Sequence, residues 1–175
     1  GKATQLTTNA AHDTHPVWSP DGTQIAFSSA REGSMDVYIM SKEGGAPRRL
    51  TSHSGGEFPI AFLGNDRLLF AAAVMPDAQD MTFPSSQFPQ VYEVSTMGGR
   101  PALFSSIPME DISARSDGAL LYHDKKGYED TWRKHHTSSI TRDIWLSLPG
   151  NGGRSYQKLT TFKGEDRTPV WTCLL

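Results

Sequence analysis

Six histidines, nineteen carboxylates and many serines give this 175-residue chain the raw material for hydrolytic or metal chemistry, so spacing has to decide. His12 and His15 stand three apart, and His135 and His136 are adjacent in a long polar stretch. Zinc needs three or four ligands converging at about 2.0–2.3 Å, and no nearby histidine or carboxylate is spaced to complete either pair. Ser138 and Ser139 lie close to His135 and His136, but no serine sits in a Gly-x-Ser-x-Gly elbow. A nucleophile needs a base held against it, and the sequence sets up no such pair. Cys173 is the only cysteine, which excludes an internal disulfide and a cysteine-built metal site. The residues therefore predict no catalytic centre and no cofactor.

Two other groups invite a binding reading. Acids recur at one phase of the chain: Asp13 three before Pro16, Glu57 two before Pro59, Glu110-Asp111 before Ile112, and Asp166 three before Pro169. Turn chemistry, with each carboxylate accepting backbone N–H bonds, is the simpler account. The alternative is a negative rim that draws cations or positively charged peptide groups. In Lys125–Arg142, Trp132 and Arg133 stand beside further cations and the two adjacent histidines. Such a mixture can stack on a peptide, or it can fold back locally, with Trp132 on its own scaffold and Arg133 paired to Glu129 or Asp130. The candidate binding residues are thus Asp13, Glu57, Asp111, Trp132, Arg133, His135, His136 and Asp166.

What must position these residues is a repeat. Leu6, Leu50, Leu103 and Leu159 stand 44, 53 and 56 residues apart. Between them the same order recurs: a short apolar segment, a Gly/Asp turn, two apolar strands and a Gly-Gly pair. Pro16-Val17-Trp18 opens the first copy and Thr168-Pro169-Val170-Trp171 restates it near the end. Four short strands per copy at this period predict an all-β protein, a β-propeller. We expect three four-stranded antiparallel blades over about 6–51, 50–104 and 103–160, then the first strand of a fourth within 161–175. Strands are expected at Pro16–Ser19, Gln24–Ser29, Asp36–Ser41 and Arg48–Thr51, with Trp18, Phe62 and Trp171 packing between blades. The turns Ser19-Pro20-Asp21-Gly22 and Ser116-Asp117-Gly118 fall at one end of the blades. Longer connections are expected at the other: Ser28 to Met35, Ala71 to Pro89, His123 to Arg142, and the entry loops. Loops gathered on a rigid scaffold are where binding usually resides.

Composition sets further bounds. A net charge of −2 gives no electrostatic case for nucleic acid, and no apolar run approaches the roughly 20 residues that span a bilayer. Gly1–Thr7 reads like the tail of a blade, matching Gly45–Thr51.

Pro16-Val17-Trp18-Ser19-Pro20-Asp21-Gly22 through Phe27 resembles the repeat of TolB-like propellers. Tyr128–Trp145, together with Gly164–Trp171, is similar to the amino-terminal propeller of tricorn-type serine peptidases. That resemblance covers nearly the whole chain. It implies a six-bladed ring of which this chain supplies half, as a fragment or as one of two copies. It implies a peptide- or protein-binding or substrate-gating module, with the peptidase residues in a later core that nothing here matches, and a periplasmic or secreted setting. A free-standing TolB-like interaction scaffold is the alternative. If three blades stand alone, their outer faces, lined by Ile25, Phe27, Tyr38, Leu121, Tyr122, Ile144 and Trp145, are expected to be open and to drive self-association.

Overall fold

The computed structural model describes residues 2–73, 89–125 and 141–172. Among the described residues, twelve strands form three four-stranded sheets, each a simple meander in chain order. The first sheet is β1 (Asp13–Trp18), β2 (Gln24–Glu32), β3 (Ser34–Ser41) and β4 (Gly44–Arg49). The second is β5 (Glu57–Leu63), β6 (Arg67–Ala72), β7 (Gln90–Ser95) and β8 (Ala102–Ser105). The third is β9 (Met109–Ala114), β10 (Leu120–Asp124), β11 (Ile144–Gly150) and β12 (Gly153–Lys158). The registered strand pairs are antiparallel, as the repeat predicts. No helix of the described residues is long and apolar enough to cross a membrane. The chain forms two compact units, Gly1–Phe104 with the first two sheets and Ser105–Leu175 with the third.

The turns form for the reasons their residues suggest. Gly22 N–H donates to the Ser19 carbonyl at 2.9 Å, and Gly22 takes φ 65°, which a side chain would resist. The Asp21 carboxylate accepts from Ser19 Oγ at 2.6 Å and from Thr23 N–H at 3.0 Å. The Leu-Thr signature also has a function. Leu50 N–H donates to Val37 O at 2.8 Å while Thr51 Oγ1 accepts from Val37 N–H at 2.9 Å. Leu159 and Thr160 treat Ile144 identically, at 2.8 and 3.0 Å. Each Leu-Thr therefore closes the third strand after the fourth has ended.

A second recurrent device joins the same two strands. Asp36, fully buried at the start of the third strand, is paired to Arg49 at 2.7 Å, and Asp143 to Lys158 at 2.8 Å. The base stands just before Leu-Thr in each case. In the second sheet Gln90, Ala102 and Phe104 replace acid, base and threonine together.

The first unit buries its core between the first and second sheets, where Val37, Ile39 and Leu50 meet Phe62, Phe70 and Tyr92. Ser28 Oγ donates across it to Glu57 O at 2.7 Å, and Asp21 N–H reaches Asn65 Oδ1 at 3.3 Å.

Five expectations need correction. Ser28–Met35 is no loop: β2 runs on to Glu32 and only Gly33, at φ 111°, turns the chain. Its polar residues stay extended because their side chains are satisfied sideways, Ser28 by Glu57 O and Ser29 Oγ by Arg31 Nε at 2.9 Å. The fourth strand of the first copy is Gly44–Arg49, so the Gly-Gly pair lies inside it, with Leu50 and Thr51 just beyond. Trp18 is 58% exposed, because Val17 takes the core side and alternation turns its neighbour away. Ile25, Phe27 and Tyr38 are buried: Leu6 packs on their cluster and the Arg31 guanidinium lies over both rings. Leu121 and Tyr122 are buried too, and Ile144 and Trp145 half-buried. Finally, Thr168–Trp171 is not a strand. The segment instead leans on β9, with Trp171 Nε1 donating to Ser113 O at 3.0 Å and Arg115 standing 4.4 Å from the indole.

Candidate functional site

The recurrent acids lie where each first strand begins, at a kink the sequence does not announce. Pairing slips between Thr14 and Val17, between Pro59 and Ala61, and opposite Leu121–His123, so every first strand carries a bulge. His15, Asp111 and Thr168 take left-handed backbone, φ 52°, 49° and 53°, one residue before Pro16, Ile112 and Pro169. The fourth copy thus keeps the entry conformation of a blade although its strand is missing.

At that kink two of the acids, Asp13 and Glu110, meet bases rather than turn amides. Asp13 is paired to Arg31 at 2.9 Å. Burial alone would raise its carboxyl, but hydrogen bonds from Ser29, Thr7 and Arg31 hold it below the ordinary range. In the second unit Glu110 takes Lys125 at 2.7 Å, His123 Nε2 at 3.2 Å and Arg142 at 3.3 Å. Those bonds, led by Lys125, overcome burial and depress its pKa. Arg142 continues to Glu165 at 2.9 Å, and Arg167 also reaches Glu165. Thr168 N–H points at His123 Nδ1 at 3.4 Å, which makes Nδ1 the acceptor and Nε2 the protonated nitrogen facing Glu110. Asp111 accepts from Thr168 Oγ1 at 2.9 Å. Asp166 donates its N–H to Arg142 O at 3.0 Å, while its Oδ2 is buried without a partner.

Glu57 differs from all of these. It is 2% exposed, and its Oε2 has no hydrogen-bond partner. Burial raises its carboxyl to about 7, opposed by a hydrogen bond with Thr51 and assisted by the Asp36 charge. It forms the floor of a cavity of about 380 Å³ between the second sheet and the Leu50–His53 strand exit, walled by Phe70 and Tyr92 and with exposed Arg100 and Leu103 at the edge. A matching cavity lies on the first sheet, between Leu6–Asn9 and Gly45–Pro47, and holds Arg31.

Of the candidate binding residues the structure describes Asp13, Glu57, Asp111 and Asp166, and the sequence did not indicate the partners around them. Arg31, Lys125 and Arg142 are remote in sequence from the acids they serve. Trp132, Arg133, His135 and His136, with Ser138, Ser139 and the Met75–Met81 stretch, lie outside the described residues. His15 rests its ring on Phe58, centroids 4.9 Å apart, and donates or accepts at Thr14 Oγ1. Among the described residues no three His, Cys, Asp or Glu side chains converge as a metal would require.

The family profile described as the tricorn protease N-terminal β-propeller domain matches residues 1–173. The chain belongs to that family. It is 24% identical over 152 residues to tricorn protease homolog 1 of Streptomyces coelicolor, covering 87% of this chain and 14% of that protein. It is 23% identical over 177 residues to the tricorn protease homolog of Saccharolobus solfataricus, covering 97% and 15%. The chain thus spans only about one-seventh of these relatives. In fold it is similar to a TolB of Agrobacterium tumefaciens, with TM-score 0.55 and 18% identity over 87% of this chain and 50% of that one. As a member of the tricorn N-terminal propeller family, the chain is a propeller module of the kind found in these proteases.

Proposed function

We propose that this propeller module binds peptide or protein segments without cleaving them, presenting or gating substrates for a tricorn-type peptidase. The match of residues 1–173 to a domain described as the N-terminal propeller of a protease carries the reading. The open, acid-floored cavity beside Tyr92 gives such a module a place to hold a chain. A periplasmic or secreted setting is part of the same proposal, and fractionation of the source cells would check it. The decisive test is fluorescence anisotropy with unstructured peptides, run beside a mass-spectrometric search for cleavage. Binding with intact peptides is expected. Hydrolysis that survives purification and falls with Ser138→Ala or Ser139→Ala would overturn the non-catalytic reading.

A TolB-like scaffold for folded partners is the second reading, favoured by the fold likeness to a TolB protein. It predicts that folded envelope proteins bind while unstructured peptides do not. The reading frame around this segment separates the two as well: a downstream peptidase region supports the first.

A further inference from the structure

Three turns of the molecule place an acid or its amide directly before glycine: Asp21-Gly22, Asp117-Gly118 and Asn151-Gly152. Such a pair can react with itself. The glycine nitrogen, uncrowded by any side chain, attacks the side-chain carbonyl carbon of the residue before it and closes a cyclic imide. The nitrogen and the carbonyl must both be free to meet, and the fold leaves them free at one turn of the three.

In the first two turns both partners are held. Gly22 N–H donates to Ser19 O at 2.9 Å, and Gly118 N–H to Arg115 O at 2.9 Å. The Asp21 carboxylate accepts from Ser19 Oγ, Thr23 N–H and Thr23 Oγ1, at 2.6, 3.0 and 2.8 Å. Asp117 accepts two bonds from Arg115, at 2.9 and 2.5 Å, and one from Ala119 N–H at 3.1 Å. The Arg115 bonds pull the Asp117 carboxyl down to about 2, and the Ser19 bond leads the lowering at Asp21. Both are ionised carboxylates near neutral pH, poor electrophiles as well as tethered ones.

The third turn is open. Asn151 and Gly152 form the tip between β11 and β12, beyond the last ladder pair, Gly150 with Gly153. Both are exposed. Among the described residues no carbonyl accepts from the Gly152 N–H, and no hydrogen bond holds the Asn151 amide. A carbon built on Gly152 would meet no atom within 4 Å, so nothing packs over the tip. The other two asparagines differ. Asn9 Oδ1 is taken by Ala11 N–H at 2.8 Å and Asn65 Oδ1 by Asp21 N–H at 3.3 Å, and neither residue precedes glycine.

We propose that Asn151 is a self-modification site, converted through an imide with Gly152 to aspartate and isoaspartate while Asp21 and Asp117 stay intact. The Gly152 nitrogen bonds to Asn151 Cγ, the Cγ–Nδ2 bond breaks, and ammonia leaves with the proton from the glycine nitrogen. Water then opens the imide. Attack at Cγ restores the backbone as aspartate; attack at the backbone carbonyl leaves the chain running through Cγ as isoaspartate. Either product adds one negative charge to a chain of net charge −2. The isoaspartyl form also sets an extra methylene between Gly150 and Gly153, which pair across the tip. That strains the one strand pairing β12 has among the described residues.

The test ages the whole folded chain at mildly alkaline pH in water enriched in heavy oxygen, then maps its peptides by mass spectrometry. Each imide that opens leaves one heavy oxygen at its residue. Label at residue 151 should build up at least about tenfold faster than at Asp21, Asp117, Asn9 or Asn65. An acidic band should grow on isoelectric focusing, and an isoaspartyl methyltransferase should label the same peptide. Gly152→Ala fits the open tip. It should leave thermal unfolding unchanged and slow all three signals about tenfold or more by crowding the nitrogen. Asp117→Asn puts an amide into a held turn, which separates the effect of the fold from that of the amide. Residue 117 should then react at least about tenfold more slowly than Asn151 in the folded chain, and equally fast in urea. Label at residue 151 no faster than at Asn9 and Asn65 overturns the proposal. So does an unchanged rate in Gly152→Ala, or a residue 117 in Asp117→Asn that keeps pace with Asn151 without urea.

Discussion

Two acids at equivalent points of the repeat, Glu57 buried and Glu110 half-buried, should respond to pH in opposite directions. Glu57 keeps its proton up to about pH 7 when folded, against 4.5 when unfolded. The folded state therefore holds more protons through that window, and its stability falls as pH rises from about 4.5 to 7, by about 3 kcal/mol in all. Glu57→Gln carries no charge to desolvate. Its stability should match the parent near pH 4 and exceed it by about 2–3 kcal/mol at pH 8. Urea unfolding at the two pH values decides, and a gap that does not widen with pH contradicts the assignment. Glu110 has a depressed carboxyl, so its contribution is present above the ordinary glutamate range and is lost as pH falls through it. Glu110→Gln should cost roughly 1–3 kcal/mol at pH 7, because Lys125, His123 and Arg142 all lose an ionic acceptor, and progressively less on acidification. Neither behaviour could be read from the sequence, where both residues are acids at the same phase. What separates them is whether a remote base arrives.

At the level of strands, the pattern was legible where local chemistry dictates geometry and illegible where a distant partner does. Pro20-Asp21-Gly22 specifies its turn by itself, and the alternating apolar residues of β3 need no help. Ser28–Glu32 looked like a loop because nothing nearby explains two fully buried serines in a row; their partners are Glu57 O and Arg31. The Asp36–Arg49 pair spans thirteen residues and reveals itself only once β3 and β4 are laid side by side. It should also be the most sensitive contact of the first sheet. Arg49→Ala leaves Asp36 charged and fully buried, at a cost of roughly 3–5 kcal/mol. Thermal unfolding that shifts by less than a few degrees would show that Ser34 and the His53 N–H satisfy Asp36 unaided.

For the whole molecule, the expected open flanks gave way to covered ones on the first sheet, yet apolar surface remains elsewhere. In the second unit Tyr156, Leu159, Phe162 and Val170 are exposed. Scattered apolar residues are ordinary on a surface, but together with a blade-entry segment that lacks strand pairing they argue for association. We expect the chain to sediment as a dimer at micromolar concentration, and Phe162→Ser with Val170→Ser to shift it towards monomer; a wild-type monomer at that concentration would refute this. The strand clasp carries one more consequence. Because acid, base and hydroxyl are present together in two sheets and absent together in the other, single replacements in the second sheet should be penalised and combined ones tolerated. Gln90→Asp alone would set a carboxylate beside Tyr92, whose hydroxyl now donates to the Gln90 amide oxygen at 2.8 Å, with no base to answer it. Ala102→Arg alone would gain nothing. A double-mutant cycle should give a favourable coupling of about 1–3 kcal/mol between them. Substitutions at these sites therefore cannot accumulate independently: a repeat that has dropped its clasp has no gentle one-step route back, and is held by epistasis in that form.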